Sequence, residues 1–170
     1  MENKCSCGCD AEKPVFTEKD LTDAIRAAIQ DRAVWFYLLY SGMKEMGYDA
    51  DKVAEKAIYK FGQMKGSKIG GQGKSPKDFF TGIATRNAAL AFEMEPGSCD
   101  EKTGTYRFHH CALVEAWKNL GCTPEEIKHL CDLASCGDQG VVSCFPGLEL
   151  KFNSLLAAGE PYCELQITKK

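Results

Sequence analysis

The sequence has no apolar run approaching the roughly 20 residues needed to span a bilayer, no block of consecutive basic residues and no Cys-x-x-Cys pair. The first absence leaves no candidate for a transmembrane helix, and the polar, Cys-rich residues Met1 to Glu12 do not have the basic-then-apolar order of an export signal. A cytoplasmic chain is expected. The second removes the electrostatic footprint of a phosphate-backbone binder: the net charge of -3 comes from interspersed Lys, Arg, Asp and Glu, so neither nucleic acid nor a membrane is expected as a partner. The third takes away the usual device of a dithiol redox couple. A phosphate loop is missing as well. Gly73-Lys74-Ser75 has the ending of one, but the motif needs a glycine five residues before Gly73 and Lys68 stands there.

At 170 residues and 44% hydrophobic, the chain can bury most of its apolar surface in one core, so a single domain over 15–170 is expected, preceded by a disordered Cys-rich tail over 1–14. Ten cysteines in a chain read as cytoplasmic imply reduced thiols, to be explained by burial, metal binding or catalysis rather than by a disulfide framework. Cys5, Cys7 and Cys9 are dense, but three thiolates spaced by single residues cannot close a tetrahedral metal site without a fourth ligand from elsewhere.

Folded structure should begin near Thr17, which can cap a first helix with Asp20 at its third position; Leu21, Ile25, Ala28, Arg32, Trp35, Phe36, Leu39 and Met43 follow at near-helical spacing as its inner face. A second helix is expected from Asp49, buried through Val53, Ala57, Ile58 and Phe61 and stopped by Gly62. Gly62 to Lys74 reads as a loop, and Ser75-Pro76 as the cap and first turn of a third helix. From Ala88 the period shortens to two, with Leu90, Phe92 and Met94 on one face, which predicts a strand. Thr105 to His110 predicts its hairpin partner, with Phe92 opposite Phe108 and Glu93 opposite Arg107. A helix carrying His110, Leu113, Val114 and Trp117 should end at Gly121, and Thr123-Pro124-Glu125-Glu126 should open another that buries Ile127, Leu130, Cys131 and Ala134. After a loop over Gly137 to Gly147, the alternating runs Leu148-Leu150-Phe152 and Cys163-Leu165-Ile167 add two strands. The fold class is therefore α+β, a helical layer packed on a small antiparallel sheet of about four strands, with the hairpin at its centre.

The run Phe108-His109-His110-Cys111-Ala112-Leu113, then Leu130-Cys131-Asp132, then Gly159-Glu160-Pro161-Tyr162-Cys163-Glu164 resembles the L-2-amino-thiazoline-4-carboxylate hydrolase family, and the stretch from Arg32-Ala33 to Gly62 is similar to it too. The resemblance implies hydrolytic opening of a cyclic amidine or isothiourea, at a C–N bond, in a small carboxylated substrate. A small molecule is then the expected partner, a homo-oligomer is compatible with it, and a divalent metal ion is the cofactor to look for.

Cys111 stands at a strand-to-helix junction beside two histidines, where a neighbouring imidazole can lower a thiol pKa, so it is the candidate nucleophile; the bland alternative is a small core residue. His109, on the polar strand face with Arg107, is its expected partner. Arg107 would hold a substrate carboxylate, and Asp132 would move protons from a helix face shared with His129 and Cys136. His110, Glu164 and Asp138 are assigned to substrate binding, although for His110 a satisfied, partly buried imidazole is the stronger reading. Cys131, Cys163 and Cys136 are the candidate metal ligands, with plain burial as the alternative for Cys131 and Cys163. A catalytic site predicts a polar pocket between sheet and helices. A binding or sensing module without catalysis predicts an apolar one.

Overall fold

The computed structural model describes residues 15–69 and 74–170, so the expectations for the tail carrying Cys5, Cys7 and Cys9 lie outside it. The expected α+β class is observed: six α-helices, α1 (Glu18–Glu45), α2 (Ala50–Ile69), α3 (Pro76–Ile83), α4 (Arg86–Phe92), α5 (Ala112–Asn119) and α6 (Pro124–Val142), accompany a four-stranded sheet. Its strands are β1 (Met94–Cys99), β2 (Thr103–Phe108), β3 (Leu148–Ser154) and β4 (Cys163–Lys169), ordered β1-β2-β4-β3 and antiparallel throughout. β2 and β4 are central. The hairpin expected at the centre instead places β1 on an edge, because β4 occupies the other side of β2. Among the described residues no helix is long and apolar enough to cross a membrane.

Local chemistry sets the helix starts as expected. Thr17 with Asp20, Ser75 with Asp78 and Thr123 with Glu126 each form a reciprocal capping box that satisfies two otherwise orphaned amides. Four boundaries differ from the sequence expectation. The stretch read as a strand from Ala88 is α4, capped by Thr85, whose hydroxyl accepts from the Ala88 amide at 3.3 Å. It ends at Glu93, at φ 48° in the left-handed region and tied to Arg26 at 2.7 Å. The hairpin register therefore begins two residues later, with Met94 opposite Phe108 and Glu95 opposite Arg107. A two-residue shift preserves which side chains face inward.

α2 continues past Gly62 to Ile69, and α6 continues through Gly137 and Gly140 to Val142, where a stop and a loop were expected. These glycines are contact points. Ala50, Ala54, Gly62 and Gly66 are buried on one side of α2, and a Cβ on Gly62 would come within 1.9 Å of the Gly137 carbonyl oxygen. The inner face of α1 is rotated from the expected one as well. Ala33 and Tyr40 are its buried residues, whereas Trp35 and Leu39 are 69% and 57% exposed.

The core has two parts. Trp117, Leu130, Leu133 and Ala33 belong to a helical cluster, and Phe79, Phe145, Leu165 and Ile167 to a cluster under the sheet.

Candidate functional site

Along β4, Cys163, Leu165 and Ile167 are buried toward the helices, which leaves Glu164 on the other face by strand alternation. The same alternation turns Phe108 inward and Arg107 outward on β2. The outer face is a polar network: Arg107 Nε donates to Glu164 Oε2 at 3.0 Å, Asn153 Nδ2 donates to Glu164 Oε1 at 3.1 Å, and the Arg107 guanidinium lies 4.7 Å from the Tyr162 ring centre. His109 joins it, with Nε2 2.8 Å from Glu95 Oε2 and its ring 5.7 Å from that of Tyr162. These bonds hold the Glu164 carboxyl below its ordinary range, through Asn153 first and Arg107 second.

Between the inner face and the helices lies a cavity of about 520 Å³. α1 contributes Arg32, Ala33 and Phe36, α2 contributes Ala57, Ile58 and Phe61, and the sheet contributes Phe108, Phe152, Cys163 and Leu165. Cys131, Ala134, Ser135, Asp138 and Val141 come from α6, all on one helical face. Cys111, the residue that caps α5, completes the set with Trp117. The lining is almost wholly apolar. Its departures are three thiols, one hydroxyl, Asp138 and Arg32.

Asp138 is the unusual group. It lines the cavity with protein atoms crowded around its carboxyl, although the residue as a whole keeps an exposed surface, and among the described residues no hydrogen-bond donor or cation reaches its carboxylate. Burial alone raises its pKa to about 6. Arg32 likewise has no carboxylate within ion-pairing distance among the described residues. The three thiols differ in their surroundings. Burial raises Cys131 to about 12, with Cys111 and Cys163 adding to it, and raises Cys163 to about 11, although the Leu156 amide donates to its sulfur at 3.2 Å. Burial also raises Cys111, but the amides of Leu113 and Val114 at the start of α5 act in the opposite direction. No full side-chain cap bond forms at Cys111, and these amides at the start of α5 are directed toward its sulfur.

The structure thus brings Cys111, Cys131, Cys163 and Asp138 to one cavity and separates them from Arg107, His109 and Glu164, which the sheet places on its opposite face. The expected partnership of Cys111 with His109 is not formed, because strand alternation continues only to Phe108 and the chain then turns into α5. Asp132 is bound to Lys128 at 2.6 Å on the outer side of α6, and the Cys136 thiol contacts the Asp132 carbonyl oxygen at 3.8 Å. The expected metal set of Cys131, Cys163 and Cys136 is not assembled: among the described residues no group of three His, Cys, Asp or Glu side chains is placed to hold a metal ion. His110, expected to be satisfied, has a buried Nε2 with no hydrogen-bond partner among the described residues. Sequence reasoning missed Arg32 as a cavity residue. Its position on an otherwise apolar stripe of α1 was the available signal.

A four-stranded antiparallel sheet covered by helices around a largely apolar, thiol-bearing cavity defines an α+β protein. The family model for L-2-amino-thiazoline-4-carboxylic acid hydrolase matches residues 26–167, and the chain belongs to that family. No curated protein matches it. Among solved structures, a trafficking protein particle complex subunit 3 from Naegleria fowleri, covalently bound to palmitic acid, is similar with a TM-score of 0.56 and 14% identity. The likeness covers 85% of this chain and 96% of that one, and it shows a shared fold.

Proposed function

We propose that the cavity binds a small molecule with an elongated apolar body and one anionic end, the body lying against Phe36, Phe108 and Trp117 and the anion paired with Arg32. The observation that carries this reading is the cavity itself, about 520 Å³ of space bounded mostly by aromatic and aliphatic side chains, where protein interiors ordinarily leave few voids. A thiazoline carboxylate is small and polar, and would leave most of that apolar lining in contact with water. The palmitic acid held by the like-folded trafficking subunit is a ligand of the kind proposed.

The test is calorimetric titration of the full chain with straight-chain carboxylates of increasing length, and separately with 2-aminothiazoline-4-carboxylate. Affinity should rise with each methylene, by up to about 0.8 kcal/mol, until the cavity is filled, and Arg32→Gln should weaken binding of every chain length about tenfold. Absence of chain-length dependence would overturn the reading.

A second reading is favoured by family membership together with Cys111 and Asp138 in one cavity: hydrolytic opening of a cyclic amidine, with Arg32 rather than Arg107 holding the substrate carboxylate. It requires turnover of the thiazoline by the wild-type chain and loss of that turnover in Cys111→Ser.

A further inference from the structure

We propose that the cavity is a thioester-hydrolysing site, with Cys111 as acyl acceptor, Asp138 as proton carrier and the apolar lining as receptor for the acyl chain. This rests on the apolar-ligand reading above and adds a reaction to it. Three observations combine. Cys111 lines the cavity as the N-cap residue of the eight-residue helix α5, whose leading amides have no intrahelical partner and are directed toward its sulfur, so an oxyanion formed on a carbonyl at this sulfur would lie beside N–H donors. Asp138 lines the same cavity and has no hydrogen-bond or ion-pair partner among the described residues. Apart from Arg32, Ser135 and the other two thiols, the rest of the wall is apolar.

The other two thiols are less suited. Cys163 already accepts the Leu156 amide, and Cys131 lies along the side of α6 with no helix terminus facing it. Both stay protonated at neutral pH, since burial raises them to about 11 and about 12. Cys111 too is a thiol at rest, so it needs a base, and Asp138 is the carboxylate that lines the cavity with it.

In the first step the Cys111 sulfur bonds to the thioester carbonyl carbon while its proton passes to the Asp138 carboxylate. The carbonyl oxygen carries the negative charge toward the α5 amides. Collapse re-forms the carbonyl and breaks the bond to the carrier sulfur, which leaves as a thiolate and takes the proton from Asp138. In the second step Asp138 removes a proton from water as its oxygen adds to the acyl carbon. The bond to Cys111 then breaks, the thiolate recovers that proton, and the carboxylic acid leaves, losing its own proton to solvent. The balance is one thioester and one water giving one carboxylate, one thiol and one proton. A thioester fits because a thiolate departs with little assistance, whereas an amide or amidine nitrogen must be protonated to leave, and the cavity offers a single proton carrier.

The experiment incubates the full chain with acetyl, octanoyl and hexadecanoyl thioesters of N-acetylcysteamine, follows the free acid by chromatography and takes intact masses during turnover. Wild type should release acid fastest from the longer chains and carry one acyl group on Cys111. Asp138→Asn should cut turnover at least a hundredfold and abolish the rise in rate with pH around 6, while still binding straight-chain carboxylates. Cys111→Ser should carry no thioester adduct and lose turnover, and Glu149→Gln on the outer sheet face should behave as wild type. If straight-chain carboxylates bind but no thioester is hydrolysed, or if Cys111→Ser hydrolyses at the wild-type rate, this inference fails and the binding reading stands. If the carboxylates do not bind, the binding reading fails first.

Discussion

A carboxyl enclosed by apolar walls is favoured in its neutral form, and this gives Asp138 a signature in the stability of the whole chain. Its folded pKa of about 6 lies above the ordinary 3.8, so between those values the folded chain retains a proton that the unfolded chain has released. Stability contributed by the neutral carboxyl is complete below pH 3.8 and is lost as pH rises through 6. Asp138→Asn keeps the shape and removes the charge, so its melting temperature should exceed that of wild type at pH 7 to 8 and converge with it at pH 4. Thermal melts across that range check this, and a wild-type advantage at pH 8 would count against it. His110 is a different case. Burial first, and Arg26 second, lower its pKa, and its Nε2 is buried without a partner among the described residues. Stability from the neutral imidazole is present above the unfolded pKa near 6.5 and is lost as pH falls below it. His110→Leu should therefore be neutral or stabilising, by about 1 kcal/mol at neutral pH and more in acid, as read from urea unfolding at two pH values.

At the scale of elements, glycine has opposite meanings on α1 and α2. A Cβ on Gly62 would lie 1.9 Å from the Gly137 carbonyl oxygen and 2.9 Å from the Gly140 Cα, both backbone atoms that cannot swing aside. Gly62→Ala must push α2 and α6 apart, and should cost about 3 kcal/mol in chemical denaturation. Gly42 meets nothing within 4 Å, so Gly42→Ala should gain about 0.5 kcal/mol by limiting the freedom of the unfolded chain. Equal effects from the two substitutions would contradict the packing described. The same contrast explains which elements could be read from the sequence. Capping boxes at Thr17, Ser75 and Thr123 depend on neighbours within four residues, and period-two runs at Leu148 and Cys163 depend on one sheet face, so all were legible. Gly62, Gly137 and Gly140 were read as stops because their contacts lie on another helix. The segment around Leu90 suits a short helix or a strand equally, and a threonine cap decides it. For the site, Cys111, Cys131, Cys163 and Asp138, expected in three different roles, line one cavity, but their division from His109 and Arg107 depends on where alternation along β2 gives way to α5.

At the scale of the molecule, the cavity lies along the seam between the two cores. Ala33 and Trp117 line it from the helical cluster, and Phe79 and Leu165 from the cluster under the sheet. Interiors ordinarily leave few voids larger than a water molecule, because unfilled apolar space forfeits dispersion contacts and hydrophobic burial. The ligand-free fold should therefore be less stable than its sequence could make it, and ligand and filling side chain should compete for the same gain. Ala134 and Ala116 separate this from a general effect of added bulk. Ala134 faces the cavity from α6, whereas Ala116 is 3% exposed within the helical core and does not line the cavity. Ala134→Leu should raise the melting temperature of the ligand-free chain and weaken straight-chain carboxylate binding at least tenfold. The same enlargement at Ala116 should overpack a closed site and lower the melting temperature, by about 1–3 kcal/mol of stability. A saturating carboxylate should then raise the melting temperature of wild type but leave Ala134→Leu nearly unchanged, since a ligand stabilises only the state it can enter. Equal ligand-induced shifts in the two proteins would place the bound molecule elsewhere on the chain.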